Sequence, residues 1–253
     1  MIITKRAWGR YIRILRSLSD KAAEAMAKEA NRLKNEGVSA EVAAARLIDY
    51  AYAIATKYGE GSAAMACEMY DAIAALNGAN VPPAMPAEPA TRWETTKAVR
   101  GTLLMNEEVM PAAVGRLVKL AGVDTIQQNA IRDGAEWAWI PSGDSCAFCR
   151  MLASNGWQKA SVKAIKNGHA QHIHNNCDCT YAVRFDGKST VSGYDPDALY
   201  EEYRQARDEA GSGKTRDIVN AMDRKDYKRN RDEINARKRL EYAKRKELEK
   251  AGQ

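Results

Sequence analysis

The sequence predicts a mainly helical protein with one small α+β element of short antiparallel strands and a charged C-terminal helix. Three observations carry this. Up to about residue 135, alanine-rich stretches space their larger apolar residues at helical intervals. Two short runs, 136–141 and 180–185, replace alanine with aromatic and β-branched residues, as half-buried strands do. From Lys214 onwards charge dominates, with a thin apolar set at Ile218, Met222, Tyr227, Ile234, Leu240, Tyr242 and Leu248.

Each element has its own signal. Tyr11, Leu15, Leu18, Ala22, Ala25, Met26 and Leu33 form one apolar stripe, and Gly37 follows where a C-terminal cap favours glycine. Ser39 can cap the next helix, which runs towards Tyr58. Gly59 and Gly61 are read as a break before a third helix, 62–76. Val81-Pro82-Pro83-Ala84-Met85-Pro86-Ala87-Glu88-Pro89 reads as an extended linker, because proline lacks an N–H and keeps its predecessor out of the helical region. Thr91-Arg92-Trp93-Glu94 has capping-box spacing, Asn106 can cap a helix through Leu117, and Asp124-Thr125-Ile126-Gln127 reads as another helix start. Asp186-Gly187 marks a turn, Asp195-Pro196-Asp197 opens a helix, and Gly211-Ser212-Gly213 reads as a flexible hinge. The expected organisation is a helical region 1–80, a proline-rich linker 81–90, a core 91–190, and a C-terminal helix and tail 191–253.

Composition narrows the function. At 253 residues the chain can bury a core, and no run approaches the roughly 20 apolar residues a bilayer requires. The charged N-terminus has no apolar stretch behind it, so a cytosolic product with reduced thiols is expected. Residues 214–250 hold 14 Lys or Arg against 8 Asp or Glu, and the rest of the chain is neutral. All the net charge of +6 therefore lies in one terminal segment.

Four of the five cysteines and all three histidines fall between 146 and 179. Cys146-x-x-Cys149 puts two thiolates on one turn, and His174-x-x-Cys177-x-Cys179 supplies a second half. Thiolate and imidazole suit zinc, and four protein ligands make a closed, structural site. Cys146, Cys149, His174 and Cys177 are the preferred ligands, with Cys179 competing for the fourth place. His169 and His172 are expected outside the ligand set. Two disulfides also fit the cysteine count but not a reducing cytosol. Asp178 is read as solvated and Cys67 as a small core residue.

The stretch Ser145-Cys146-Ala147-Phe148-Cys149-Arg150-Met151-Leu152-Ala153-Ser154, followed by His174-x-x-Cys177-x-Cys179-Thr180, resembles the MuF-like minor head proteins of tailed phages. The variant found in phages of actinobacteria is the more similar, although it carries an aromatic residue where this chain has Ile173. The similarity covers about residues 137–186. It implies a non-enzymatic virion protein, present in few copies at the portal vertex or head interior. Its partners would be the portal protein or the major capsid protein, with packaged double-stranded DNA a further candidate, and neither a membrane nor a small-molecule substrate is implied. The host cytoplasm would be its location during assembly.

Other patterns point elsewhere. Gly211-Ser212-Gly213-Lys214-Thr215 suggests a phosphate-binding loop, but Asp208 stands where that pattern needs glycine and no strand precedes it. His174-Asn175 faintly suggests an HNH-like zinc-stabilised nuclease, without a convincing histidine base; a host nucleic-acid-binding protein is a third class. In the tail, Lys228, Arg229, Arg231, Arg237, Lys238, Arg239, Lys244, Arg245 and Lys246 could meet phosphates without reading sequence, or dock on an acidic portal surface.

Overall fold

The structure, a computed structural model, describes residues 2–142, 145–163 and 177–251. Residues 1–145 with 155–195 make one compact unit, and residues 146–154 with 196–253 make a second.

In the first unit, α1 (Lys5–Glu36) starts at Thr4, whose side chain accepts from the Ala7 amide, and stops at Gly37 with φ 64°. Ser39 caps α2 (Ala40–Leu76), and Thr91 opens α3 (Arg92–Met105) with a complete capping box to Glu94. A 3-10 turn, Glu107–Val109, capped by Asn106, leads into α4 (Met110–Asp133). Met26 and Leu33 of α1, Ile48 and Ile54 of α2, Val99 of α3 and Val114 of α4 share one buried core.

Helix α4 is the hub of this bundle, and two glycines allow its close approach. A Cβ on Gly115 would lie 2.8 Å from Ser19 Oγ of α1, and one on Gly122 would lie 2.7 Å from Ser62 Oγ of α2. Both gaps are shorter than van der Waals contact permits, so only glycine fits without a shift. The Ser19 hydroxyl also donates to the Gly115 carbonyl at 3.0 Å.

The strands are few and short. β1 (Ile2–Ile3) pairs in parallel with β5 (Thr190–Val191), a pairing the sequence did not suggest. β2 (Glu136–Ile140) is the centre of an antiparallel sheet between β3 (Gln158–Lys159) and β4 (Thr180–Arg184). Trp137 and Trp139 pack on Tyr181 with ring centroids 5.1 and 4.9 Å apart, and Arg184 pairs with Glu136 opposite it at 2.6 Å. The expected strands and the Asp186-Gly187 turn are therefore present: Gly187 has φ 64°, and Asp186 accepts from the Lys188 and Ser189 amides.

Four expectations are corrected. Gly59 and Gly61 do not break a helix; α2 runs through them. Gly59 admits a close neighbour instead, since a Cβ there would lie 3.0 Å from Pro89 Cβ, whereas one on Gly61 would meet Leu18 at an ordinary 3.5 Å contact. Asp124 starts no helix, because it lies in mid-α4, where the Thr125 hydroxyl donates to the Ala121 carbonyl. The proline-rich stretch is extended but divides nothing, as the elements on both sides belong to one unit. Its Ala84, Met85 and Ala87 amides donate to Asp71, Asn129 and Thr125, and Arg132 donates to the Pro82 and Pro83 carbonyls.

The fourth correction falls in the second unit. There α5 (Ala147–Ala153) packs with α6 (Pro196–Ala210) and α7 (Thr215–Ala251). Gly211, at φ 59°, makes a tight turn rather than a loose hinge: Ile218, Ala221 and Met222 of α7 are buried in one core with Ala147 and Ala206. Arg150 of α5 locks the three helices by donating to Glu202 at 3.0 Å and by pairing with Asp226.

Candidate metal centre

The last register pair of β2 and β4 is Ile140 with Thr180, so Cys177-Asp178-Cys179 comes just before the sheet begins, beside Pro141 and Ser142. The Ser142 amide donates to Cys179 Sγ at 3.4 Å, and Ser145 Oγ lies 3.5 Å from the same sulfur. Three residues after Ser142, the Ser145 hydroxyl bonds the Ser142 carbonyl at 3.0 Å and tightens this corner.

Cys146 is the N-cap of α5. Its extended backbone (φ −65°, ψ 161°) turns its sulfur towards the first helical turn, where it accepts from the Cys149 amide at 3.5 Å. Cys149 follows one turn later. The sulfurs of Cys149, Cys177 and Cys179 all lie within 4.8 Å of one another, and all three residues are buried. Thiolates on a tetrahedral zinc at about 2.3 Å would stand about 3.8 Å apart, so small adjustments close the set on an ion. The donor chemistry fits zinc, and among the described residues no disulfide joins the cysteines.

Cys179, expected to compete for the fourth place, is thus one of the three sulfurs brought together. Cys146, expected with Cys149 among the ligands, stands at the start of α5 and is not one of those three sulfurs. His174, with His169 and His172, lies outside the described residues. Cys67 is half-buried rather than fully in the core, and burial raises its thiol pKa.

Asp178 is not solvated as expected. Its side chain accepts from Lys119 Nζ at 2.7 Å and faces Arg16 Nη1 at 3.4 Å. Lys119 also donates to the Cys177 carbonyl at 2.7 Å. Sequence reasoning passes over this lysine because it falls among apolar positions of an alanine-rich helix. The available signal is a charged residue on the buried face of α4, between Leu117 and Ala121.

In the basic tail, Lys228, Arg231, Lys238 and Arg239 are exposed on α7. The side chains of Arg229, Arg237, Lys244, Arg245 and Lys246 lie outside those described. Among the described residues, no helix is long and apolar enough to cross a membrane.

Fold and centre together define a mainly helical protein with a buried group of thiols able to hold a metal ion. The family model described as VG15 protein matches residues 2–206, and the chain belongs to this phage-associated family. No curated protein and no solved structure matches it.

Proposed function

We propose that this chain is a minor head protein of a tailed phage, held at the portal vertex or in the head interior, with a structural zinc clamping its central element. The observation that carries the reading is the family match over residues 2–206 enclosing a buried three-thiol group, within the window that resembles MuF-like head proteins. Cys149, Cys177 and Cys179 supply three ligands. Cys146 is favoured as the fourth, because the Cys-x-x-Cys spacing puts it on the same turn as Cys149, and His174 is its competitor. Four protein ligands leave no open position for water, so the ion's role is to hold the fold rather than to hydrolyse. The nuclease reading gains no support from the family.

Purified heads provide the test of role. Quantitative mass spectrometry should find the chain in the particles at a few copies each, in constant ratio to the portal protein. A chain absent from heads, yet abundant in the infected-cell lysate, overturns the reading. The metal is tested on the full chain: about one zinc per molecule is expected, lost in Cys149→Ser. Of Cys146→Ser and His174→Ala, the variant that lowers zinc content identifies the fourth ligand. Structural zinc contributes on the order of 10 kcal/mol in small peptides, so chelation should lower the melting temperature clearly. Unchanged melting after complete chelation rejects the clamp.

A further inference from the structure

Lys119 is a buried ammonium in the middle of α4, only 9% exposed. A lysine in such a place is unfavourable unless its charge is paired and its donors are used. Both conditions are met at one spot, because Nζ bonds the Cys177 carbonyl and Asp178 Oδ1, each at 2.7 Å. The other carboxylate oxygen of Asp178 faces Arg16 of α1. Two helices of the bundle therefore reach the same short stretch, the one that carries two of the clustered thiols.

A glutamine amide could hold a carbonyl in place, so what the ammonium adds is charge. Three or four thiolates around a divalent cation leave a net negative charge at a buried centre, where solvent does little to screen it. Arg16 is shared between Asp178 and Asp20, so the positive charge placed at the Cys177 carbonyl is the buried Lys119 ammonium. Its sign opposes that of the thiolates. The peptide carbonyl of Cys177 is fixed by the same ammonium, which limits rotation of the segment and sets the directions of the Cys177 and Cys179 side chains.

We propose that Lys119 is a positioning residue for the metal: it presets the Cys177–Cys179 corner and supplies the counter-charge for its thiolates. The proposal rests on reading the thiol group as a metal site. Outer contacts of this kind typically change metal affinity by about 10–100-fold when removed.

The experiment uses the full chain, titrated with zinc against a chromophoric chelator, with cobalt(II) absorption as a report on ligand geometry. Lys119→Met should weaken zinc binding about 10–100-fold and alter the cobalt ligand-field bands. Because that variant strands a buried carboxylate, the double variant Lys119→Met with Asp178→Asn is measured beside it and should show a loss in the same range. Lys119→Arg, which keeps the charge, should recover part of the affinity. A folded Met variant with wild-type zinc affinity and an unchanged cobalt spectrum overturns the proposal. Collapse of both Met-containing variants in the metal-free form overturns it too, since Lys119 would then serve the fold alone. If the wild-type chain itself binds neither metal, the metal reading falls first.

Discussion

Helices α2 and α7 are equal in length, 37 residues each, but are held by different forces. Twelve residues of α2 are buried, from Leu47 to Ala74, and the helix continues through two glycines because neighbours pack against it throughout. In α7 the described buried residues are Ile218, Ala221 and Met222, all within its first two turns or so. Beyond them the described side chains are partly or fully exposed, Tyr227 among them at 70%. Strong helix formers such as lysine, arginine, glutamate and alanine carry the rest. Length is therefore a poor guide to what a helix contributes. α2 is a core element from Leu47 to Ala74, whereas α7 begins as one and continues as a charged surface.

The sharpest way to break this comparison is to cut one core residue from each helix. Ile73→Ala in α2 and Met222→Ala in the start of α7 should each destabilise by about 2–5 kcal/mol, since both side chains are fully enclosed. Urea unfolding of each variant, monitored by circular dichroism, measures the loss. A cost below about 1 kcal/mol at Met222 would make α7 peripheral along its whole length.

A smaller effect is expected where α4 crosses α2. Gly122→Val must push against the Ser62 hydroxyl and carbonyl, which lie 2.7 and 3.2 Å from an added Cβ. Overpacking of this kind costs about 1–3 kcal/mol, and the backbone contact places this variant near the upper end. Unchanged thermal melting would show that the two helices separate easily and that glycine is not what lets them meet.

The far end of α2 offers a third test. The Tyr70 hydroxyl donates to Asp133 at the end of α4 at 2.7 Å, and Arg132 holds the same carboxylate. The Arg132 guanidinium lowers the Asp133 pKa against the cost of burial, with the tyrosine hydroxyl acting in the same direction. Tyr70→Phe should cost about 1 kcal/mol at neutral pH, where the carboxylate is charged. A depressed carboxyl pKa contributes stability above its unfolded value, near 3.9, and loses it as pH falls through the folded one. The difference between wild type and variant should therefore shrink in acid. A difference that grew as pH fell would contradict the assignment.

Much of this fold is legible where the signal is local. Gly37, Ser39, Thr91 and Asn106 all act as caps in the positions their side chains or conformational freedom suggest. The two β-branched and aromatic runs become β2 and β4, because alternation and flanking turns are properties of a few consecutive residues. The misreadings share one cause. Gly59 and Gly61 look like stops until Pro89 and Leu18 are placed against them, and the prolines look like a border until their neighbouring amides find Asp71, Asn129 and Thr125. At the metal centre, the cysteine spacing exposes the site, whereas Cys179's inclusion and the lysine behind it depend on partners 30 to 60 positions away in sequence.

The smallest stability effect should come from the outer part of α7, and there the comparison with α2 is most easily sharpened. Deleting residues 234–253 leaves Ile218, Ala221, Met222 and Asp226 in place, so the second unit keeps its described buried core and its ion pair with Arg150. Stability should change by no more than about 0.5 kcal/mol, the range of ordinary surface changes. Electrostatic behaviour should change more. If the outer helix meets packaged DNA, the full chain should bind duplex weakly, without sequence preference, and with affinity that falls steeply as salt rises. Removing one cation that pairs with a phosphate should reduce the slope of log affinity against log salt by about 0.9. The 8 acidic residues among the 14 basic ones blunt attraction to phosphate but suit salt bridges with a mixed protein surface, so the proposed function leads us to expect docking on portal or capsid rather than on DNA. Truncation should then reduce incorporation into heads while any DNA binding stays the same. A truncated chain that enters heads and binds duplex as the full chain does would show that the outer half of α7 only keeps the surface solvated. A large drop in melting temperature would show instead that it is packed, as α2 is.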